Sequence, residues 1–273
     1  MAGCVDLPRY AVSVMMGLLI LCFPVYAVDE AVASRTTDID LSGSWWEVQR
    51  FVDRADMPIF GELQRETTSA MRVEIVQSGS HVVITSEYCH AEVRTGVPGL
   101  EMVFPDAFVD SLVPGERIAH LSASEDSVSM DFIQDRYVEV RGAVLEDPAE
   151  DPLPATPDDP RVFDQDADGH PGMTVSIDLL GLIRGDVYVV QRVRYRLIGR
   201  VSQDGRSISG RIEWEDEQVV IGASSSLLAA GSPGTPAWGE SWFQMVRSSA
   251  VECEDRLDMD LNLPADAASP GGA

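Results

Sequence analysis

Apolar and polar residues alternate with period two through much of the chain, most clearly in its second half. Between 187 and 201 the odd positions Val189, Val193, Tyr195 and Leu197 are apolar, while Arg192, Arg194, Arg196 and Arg200 take the even ones. That spacing marks a half-buried strand. Asp204-Gly205 follows, a pair suited to a tight type I′ turn. Folding back about it sets Arg196 opposite Glu213, Arg194 opposite Glu215 and Arg192 opposite Glu217, and brings Leu197 to Ile212 and Tyr195 to Trp214. One register satisfies both faces, so the hairpin is strongly specified. Four aligned arginines could form an anion site, but three already face carboxylates. They read instead as a solvent-facing ion ladder, each pair contributing well under about 1 kcal/mol.

Shorter runs of the same kind predict further strands at 45–52, 71–75, 81–85, 117–122, 127–133, 137–144, 173–177 and 242–248, and residues 218–221 extend the hairpin. A two-residue turn at Ser78-Gly79 pairs Ile75 with Val82 and Val73 with Ile84. Residues 91–115, with Pro98, Pro105 and Pro114, read as a loop carrying a short helix near 106–112, and the Ser-, Gly- and Pro-rich stretch 224–237 as another loop. No helical periodicity of any length competes. The expectation is an all-β fold: an antiparallel up-and-down β-barrel of about eight to ten strands with a long acidic loop insertion. A β-sandwich is the alternative.

The 273 residues, 45 % of them hydrophobic, can build a sizeable core. Arg9, the apolar run 11–23 and Val25-Tyr26-Ala27 have the order of an export signal. The run is short of the roughly 20 residues that a membrane span needs, so no stable span is expected in the mature chain. The domain plan is therefore a signal peptide at 1–27, a polar lead-in at 28–41, one barrel domain at 42–253 with an acidic insert at 146–172, and a disordered acidic tail at 254–273. The destination is the periplasm or the medium.

Loss of the signal removes one acid and one base and leaves the net charge at −25. Nucleic acid is excluded as a partner, since phosphates need a basic face, and anionic membrane surfaces are disfavoured for the same reason. All twenty basic residues are Arg and none is Lys, a codon-bias hint of a GC-rich bacterial genome. The signal also takes Cys4 and Cys22, leaving Cys89 and Cys253. An even count in an oxidising compartment favours a disulfide between them; two separate buried thiols are the alternative.

Residues 146–160 hold five prolines, and through Asp168 the stretch carries nine acids against the single base Arg161. It ends in Asp164-Gln165-Asp166-Ala167-Asp168-Gly169-His170. Carboxylates at alternate positions ahead of a glycine let a short loop turn its oxygens inward around a hard cation, and calcium accepts six to eight of them. Asp164, Asp166, Asp168 and the backbone carbonyl of His170 are the candidate ligands. The twelfth position, a bidentate Glu in the complete helix-loop-helix site, is Val175. Asp158, Asp159, Asp178 or water would have to fill the gap. The segment resembles the D-x-D-x-D-G loops of EF-hands, dockerins and thrombospondin type 3 repeats, which implies calcium as cofactor. Pro171 and the β-like run after it predict a loop leading into a strand. A solvated acidic linker is the bland alternative.

No G-x-S-x-G elbow, H-E-x-x-H helix or phosphate-cradling glycine loop is present. The histidines are scattered, although Glu87, His90 and Glu92 crowd around Cys89 and offer a weak metal constellation. Gly43-Ser44-Trp45-Trp46 resembles the G-x-W start of lipocalins and related calycin barrels. That resemblance implies that Arg247 packs across Trp45, and a disulfide from mid-barrel to the C-terminal region is common in the family. The loop around His170-Pro171-Gly172 is also similar to those of exported bacterial proteins that have no assigned activity. The expected function is a non-catalytic, calcium-stabilised binding barrel carrying a small apolar ligand, with Trp45, Trp46, Tyr195 and Trp214 as candidate contacts. A cell-envelope or surface interaction module is the alternative, its protein partner unspecified, and an extracellular hydrolase comes last.

Overall fold

The computed structural model describes residues 39–57, 61–124, 129–226, 228–229, 234–248 and 253. The expected signal peptide, most of the lead-in and the acidic tail lie outside the described residues. Twelve strands and one short helix make up the described chain, and the strands join into one sheet that curls into a barrel-like ring. The antiparallel all-β expectation is met, though the ring is not a regular up-and-down barrel. Among the described residues no helix is long and apolar enough to cross a membrane.

Strand β1 (Gly43–Met57) pairs with β2 (Gly61–Ser78), and β2 with β3 (His81–Arg94). Beyond β3 the ring closes along two routes. At one end, residues 81–84 of β3 pair with β5 (Arg117–Ala123), which pairs with β6 (Met130–Gln134) and so reaches the last residues of β9 (Ile183–Val201). At the other end, Val93 of β3 faces Met102 of β4 (Leu100–Val103), which leads through β8 (Met173–Leu179) to the first residues of β9. Between the two routes β7 (Tyr137–Arg141) covers the centre of β9. On its other side β9 pairs with β10 (Ser207–Ala223), then β12 (Trp242–Arg247) returns to β1, on whose far end β11 (Gly234–Pro236) adds three residues. Helix α1 (Asp106–Ser111) packs Phe108 and Val109 into an apolar cluster with β8 and β9.

The β9–β10 register matches the sequence expectation pair for pair, from Leu197↔Ile212 to Arg192↔Glu217. The connection itself is longer than expected: Ser202 and Ser207 close it, and Gly205, at φ 67°, donates its amide to the Ser202 carbonyl. A four-residue loop centred on the same bond preserves the register. The first hairpin differs. Ser78 faces His81, so Ile75 lies opposite Ile84 and Val73 opposite Ser86, a shift of two residues that keeps each side chain on its expected face because the strand period is two. Residues 91–115 are also more regular than expected, since β3 runs on to Arg94 and β4 follows.

Two apolar clusters fill the interior. The larger, with Trp45, Ile75, Ile84, Phe132, Leu197 and Phe243, closes the β5–β6 end; the smaller, with Phe108, Met173, Val175 and Val189, closes the β4–β8 end. Between them the inward side chains turn polar.

Candidate functional site

The acidic insert leaves β7 and returns to β8, and the outer face of β9 holds it down. Arg192 is only 3 % exposed: it bonds Glu217 and also donates to the carbonyl oxygens of Pro148 (3.2 Å) and Asp151 (2.6 Å). Arg194 donates to the Ala149 carbonyl at 2.6 Å. Glu215 lies opposite Arg194 in the ladder, yet it pairs with Arg136. The arginine face is therefore not the solvated ladder expected from spacing alone, because half of it is a clamp on the insert. Leu145 and Leu153 add an apolar patch against Tyr188, Val190 and Ile221.

The returning end passes so close to β9 that a Cβ on Gly172, at φ 94°, would stand 2.7 Å from the Val189 carbonyl oxygen. Only glycine suits that approach. Just before it, the carboxylates of Asp164, Asp166 and Asp168 converge, one oxygen from each lying within 4.8 Å of the others, and this group could hold a metal ion. The backbone shapes the cluster. Asp164 accepts the amides of Asp168 (3.2 Å) and Gly169 (2.9 Å), and Asp168 accepts the amide of His170 (2.8 Å) and the hydroxyl of Thr174 (2.6 Å). Asp166 accepts the Thr174 amide on one oxygen at 2.9 Å. Its other oxygen, Oδ1, is buried without a hydrogen-bond partner in a residue 6 % exposed. Burial, with the neighbouring Asp168 and Asp164 charges, pushes the Asp166 carboxyl up, against the Thr174 amide that lowers it.

Two of the three other acids proposed to complete the shell are engaged elsewhere. Asp159 binds Arg161, and Asp178 pairs with Arg184 at the β8–β9 turn. Val175 is buried in the smaller core cluster. The ring of His170 stacks on Tyr188 with centroids 4.2 Å apart.

Inside the ring, a buried ion pair forms a polar layer under the larger core. Arg117 donates to both carboxylate oxygens of Glu47 (2.5 and 3.1 Å), to Gln134 (3.2 Å) and to Ser86 (2.5 Å), and Gln49 adds a 2.6 Å bond to Glu47. Above it lies a cavity of about 100 Å³. Phe51, Tyr195 and Trp214 supply aromatic wall, Met173 and Val175 the opposite apolar wall, and Asp53, Arg65, Arg141, Gln191 and Asp216 the polar one. Arg65 binds Asp53 through two nitrogens. Arg141 binds Glu139 at 2.6 Å and Gln191 at 3.1 Å. Asp216 accepts the Gln191 amide at 2.9 Å. Burial pushes the carboxyl of Asp216 and the hydroxyl of Tyr195 up.

Of the four candidate ligand contacts, Tyr195 and Trp214 line the cavity, whereas Trp45 and Trp46 do not. Trp45 is buried in the larger core with the Arg247 guanidinium 4.8 Å over its ring, and Arg247 also caps the carbonyls of Ser42 (2.8 Å) and Asp40 (2.6 Å). Trp46 points to the opposite face, with Val48, Ala70, Cys89 and Trp242. Cys89 and Cys253 lie at disulfide distance, their Cα atoms 5.1 Å apart. Around them, Glu87 pairs with Arg72, while Glu92 pairs with Arg94 and stands 4.0 Å from His90.

Sequence reasoning passed over Glu47, Asp53, Arg65, Arg117, Arg141 and Asp216. Parity could have found three of them. Glu47 and Asp53 share the parity of Trp45 and Phe51, and Asp216 that of Ile212 and Trp214, so each was due to face inward with its aromatic neighbours. No family model, no curated protein and no solved structure matches the chain.

Proposed function

We propose that this chain is an exported, non-catalytic binding protein: a calcium-stabilised β-barrel that takes a small ligand into the chamber between its two apolar clusters. The observation that carries the binding half is the chamber itself. Desolvating acids and arginines inside a barrel costs several kcal/mol per ion in round terms, about what their pairing returns, so core packing alone gives no reason to put them around a void. Small-molecule sites combine apolar wall with convergent polar groups, and this chamber has both, with more polar wall than most. A ligand with a polar group on an apolar body fits it better than a wholly apolar one.

Calcium is supported by the free oxygen of Asp166. A buried carboxylate oxygen without a donor is costly, and a hard cation shared with Asp164 and Asp168 satisfies it with the all-oxygen shell that calcium prefers. The backbone carbonyl of His170 and water would complete the coordination. The surface-module alternative draws on the β8–β9 turn, where Leu180 and Leu182 are 63 % and 83 % exposed.

Native mass spectrometry of protein purified from its own host tests both halves together, with bound calcium and a co-purified small molecule as the expected masses. Thermal melts separate the metal. With calcium at about a hundred times its dissociation constant, stabilisation is about 2.7 kcal/mol, or about 5–10 °C for a domain of this size. Addition of a chelator should remove that increment, and the triple variant Asp164→Ala, Asp166→Ala, Asp168→Ala should show none. Wild-type melts that coincide with and without chelator overturn the calcium assignment.

A further inference from the structure

We infer that the chamber's guest is a small organic cation, an alkylammonium held by the Asp216 carboxylate against the rings of Phe51, Tyr195 and Trp214. The inference rests on the binding role proposed above and is independent of the metal loop.

Charge bookkeeping inside the ring points this way. Each arginine that lines the chamber is already matched: Arg65 grips Asp53 with two nitrogens, and Arg141 grips Glu139. One layer down, Arg117 is matched by Glu47. Asp216 remains. It accepts one hydrogen bond from the neutral Gln191 amide and makes no ion pair among the described residues. With Glu139 counted beside its partner Arg141, although it is not itself a wall residue, Asp53, Glu47, Glu139 and Asp216 against Arg65, Arg117 and Arg141 leave one negative charge in and around the chamber. An anionic guest would meet Asp216 head on, and a neutral apolar guest would strip water from the carboxylate and give nothing back.

The aromatic wall supplies the second half of the recognition. Phe51 stands edge-on to Tyr195 and to Trp214, with centroids 5.8 and 5.3 Å away and both interplanar angles 81°. Three rings set at steep angles present π-faces on more than one side of a compact guest, and aromatic faces attract cations, alkylated ammonium ions above all. Tyr88 and Phe104 extend the lining. A cavity of about 100 Å³ limits the guest to a few heavy atoms, or to the head of a longer molecule.

Isothermal titration of the mature chain in calcium-containing buffer, with tetramethylammonium chloride and separately with tert-butanol as a neutral molecule of similar bulk, tests the assignment. The expected result is tetramethylammonium binding at least tenfold tighter than tert-butanol, weakened tenfold or more in Asp216→Asn and in Trp214→Leu. Each variant's melting temperature checks that it is folded. If tert-butanol binds as tightly, or if folded Asp216→Asn keeps full affinity, the cation assignment falls and the binding role stands. If neither molecule binds the folded wild type, the binding role falls with it.

Discussion

The fully buried Glu47–Arg117 pair offers the most exacting test of how the barrel interior is held. Both side chains have no exposed surface, and Arg117 makes four hydrogen bonds to three residues of β1, β3 and β6. Arg117→Met replaces the guanidinium with an apolar chain of comparable length. Glu47 is then left as a buried carboxylate whose one remaining side-chain donor among the described residues is the Gln49 amide. At an effective dielectric of 20 a unit-charge pair 4 Å apart interacts by about 4 kcal/mol, and breaking a buried pair from one side typically costs about 3–5 kcal/mol. For a domain of this size that lowers the melting temperature by about 6–20 °C. The double variant Glu47→Gln, Arg117→Met removes both charges, and replacing a whole buried pair is often neutral. It should therefore recover most of the loss. Equilibrium unfolding in urea at pH 7, with calcium held constant, measures all the corners of the cycle. A single-variant cost under about 1 kcal/mol, or a double variant as damaged as the sum of the singles, would show that the pair is not the keystone described.

Arg192→Ala should free the acidic insert without unfolding the ring, because the three acceptors it loses are Glu217 and two insert carbonyls. The expected stability loss is about 1.5–3 kcal/mol for charge-assisted bonds, and limited proteolysis should move its first cleavage into residues 146–160; an unchanged digestion pattern contradicts the clamp. Asp216, whose carboxyl is raised by burial against the lowering effects of Gln191, Arg65 and Arg141, binds its proton more tightly folded than unfolded. Its ionisation therefore costs stability as pH rises through the window above the ordinary carboxylate value of 3.8. Asp216→Asn should remove that contribution to the pH slope of unfolding free energy, and a slope unchanged in urea titrations across that window refutes it.

What the sequence made legible follows from where its alternation was hydrophobic. The β9–β10 register could be read pair by pair because apolar residues on one face and opposite charges on the other demanded the same alignment. The first ten residues of β2 were missed because their inward side chains include Arg65, Thr67 and Ser69, which belong to the polar part of the chamber's wall. There the inside is as hydrophilic as the outside, and hydropathy loses its period. The same cause hid the polar groups of the chamber. The first hairpin slipped because Ser78-Gly79 and Gly79-Ser80 are equally good turns by composition, and the period of two allowed either without exposing Ile75. Aspartate spacing marked the metal-competent loop, since three carboxylates ahead of a glycine have a local geometry of their own. That the arginines hold an insert, while their facing acids turn in part to other partners, depends on contacts more than 40 residues apart, which a local pattern does not carry.

Strand β9 has a consequence for how the chain is made. Along one edge it takes β8, β7 and β6 in turn, and along the other it takes β10. β7 thus waits for a spine that begins only at Ile183, β6 and β8 each keep one edge open until it is made, and ring closure waits longer still, for β12 to reach β1. Pairings between such distant segments make folding slow. Until residue 201 has been made the earlier strands have unfilled edges, so the ring is assembled around its ninth strand and not outward from its first hairpin.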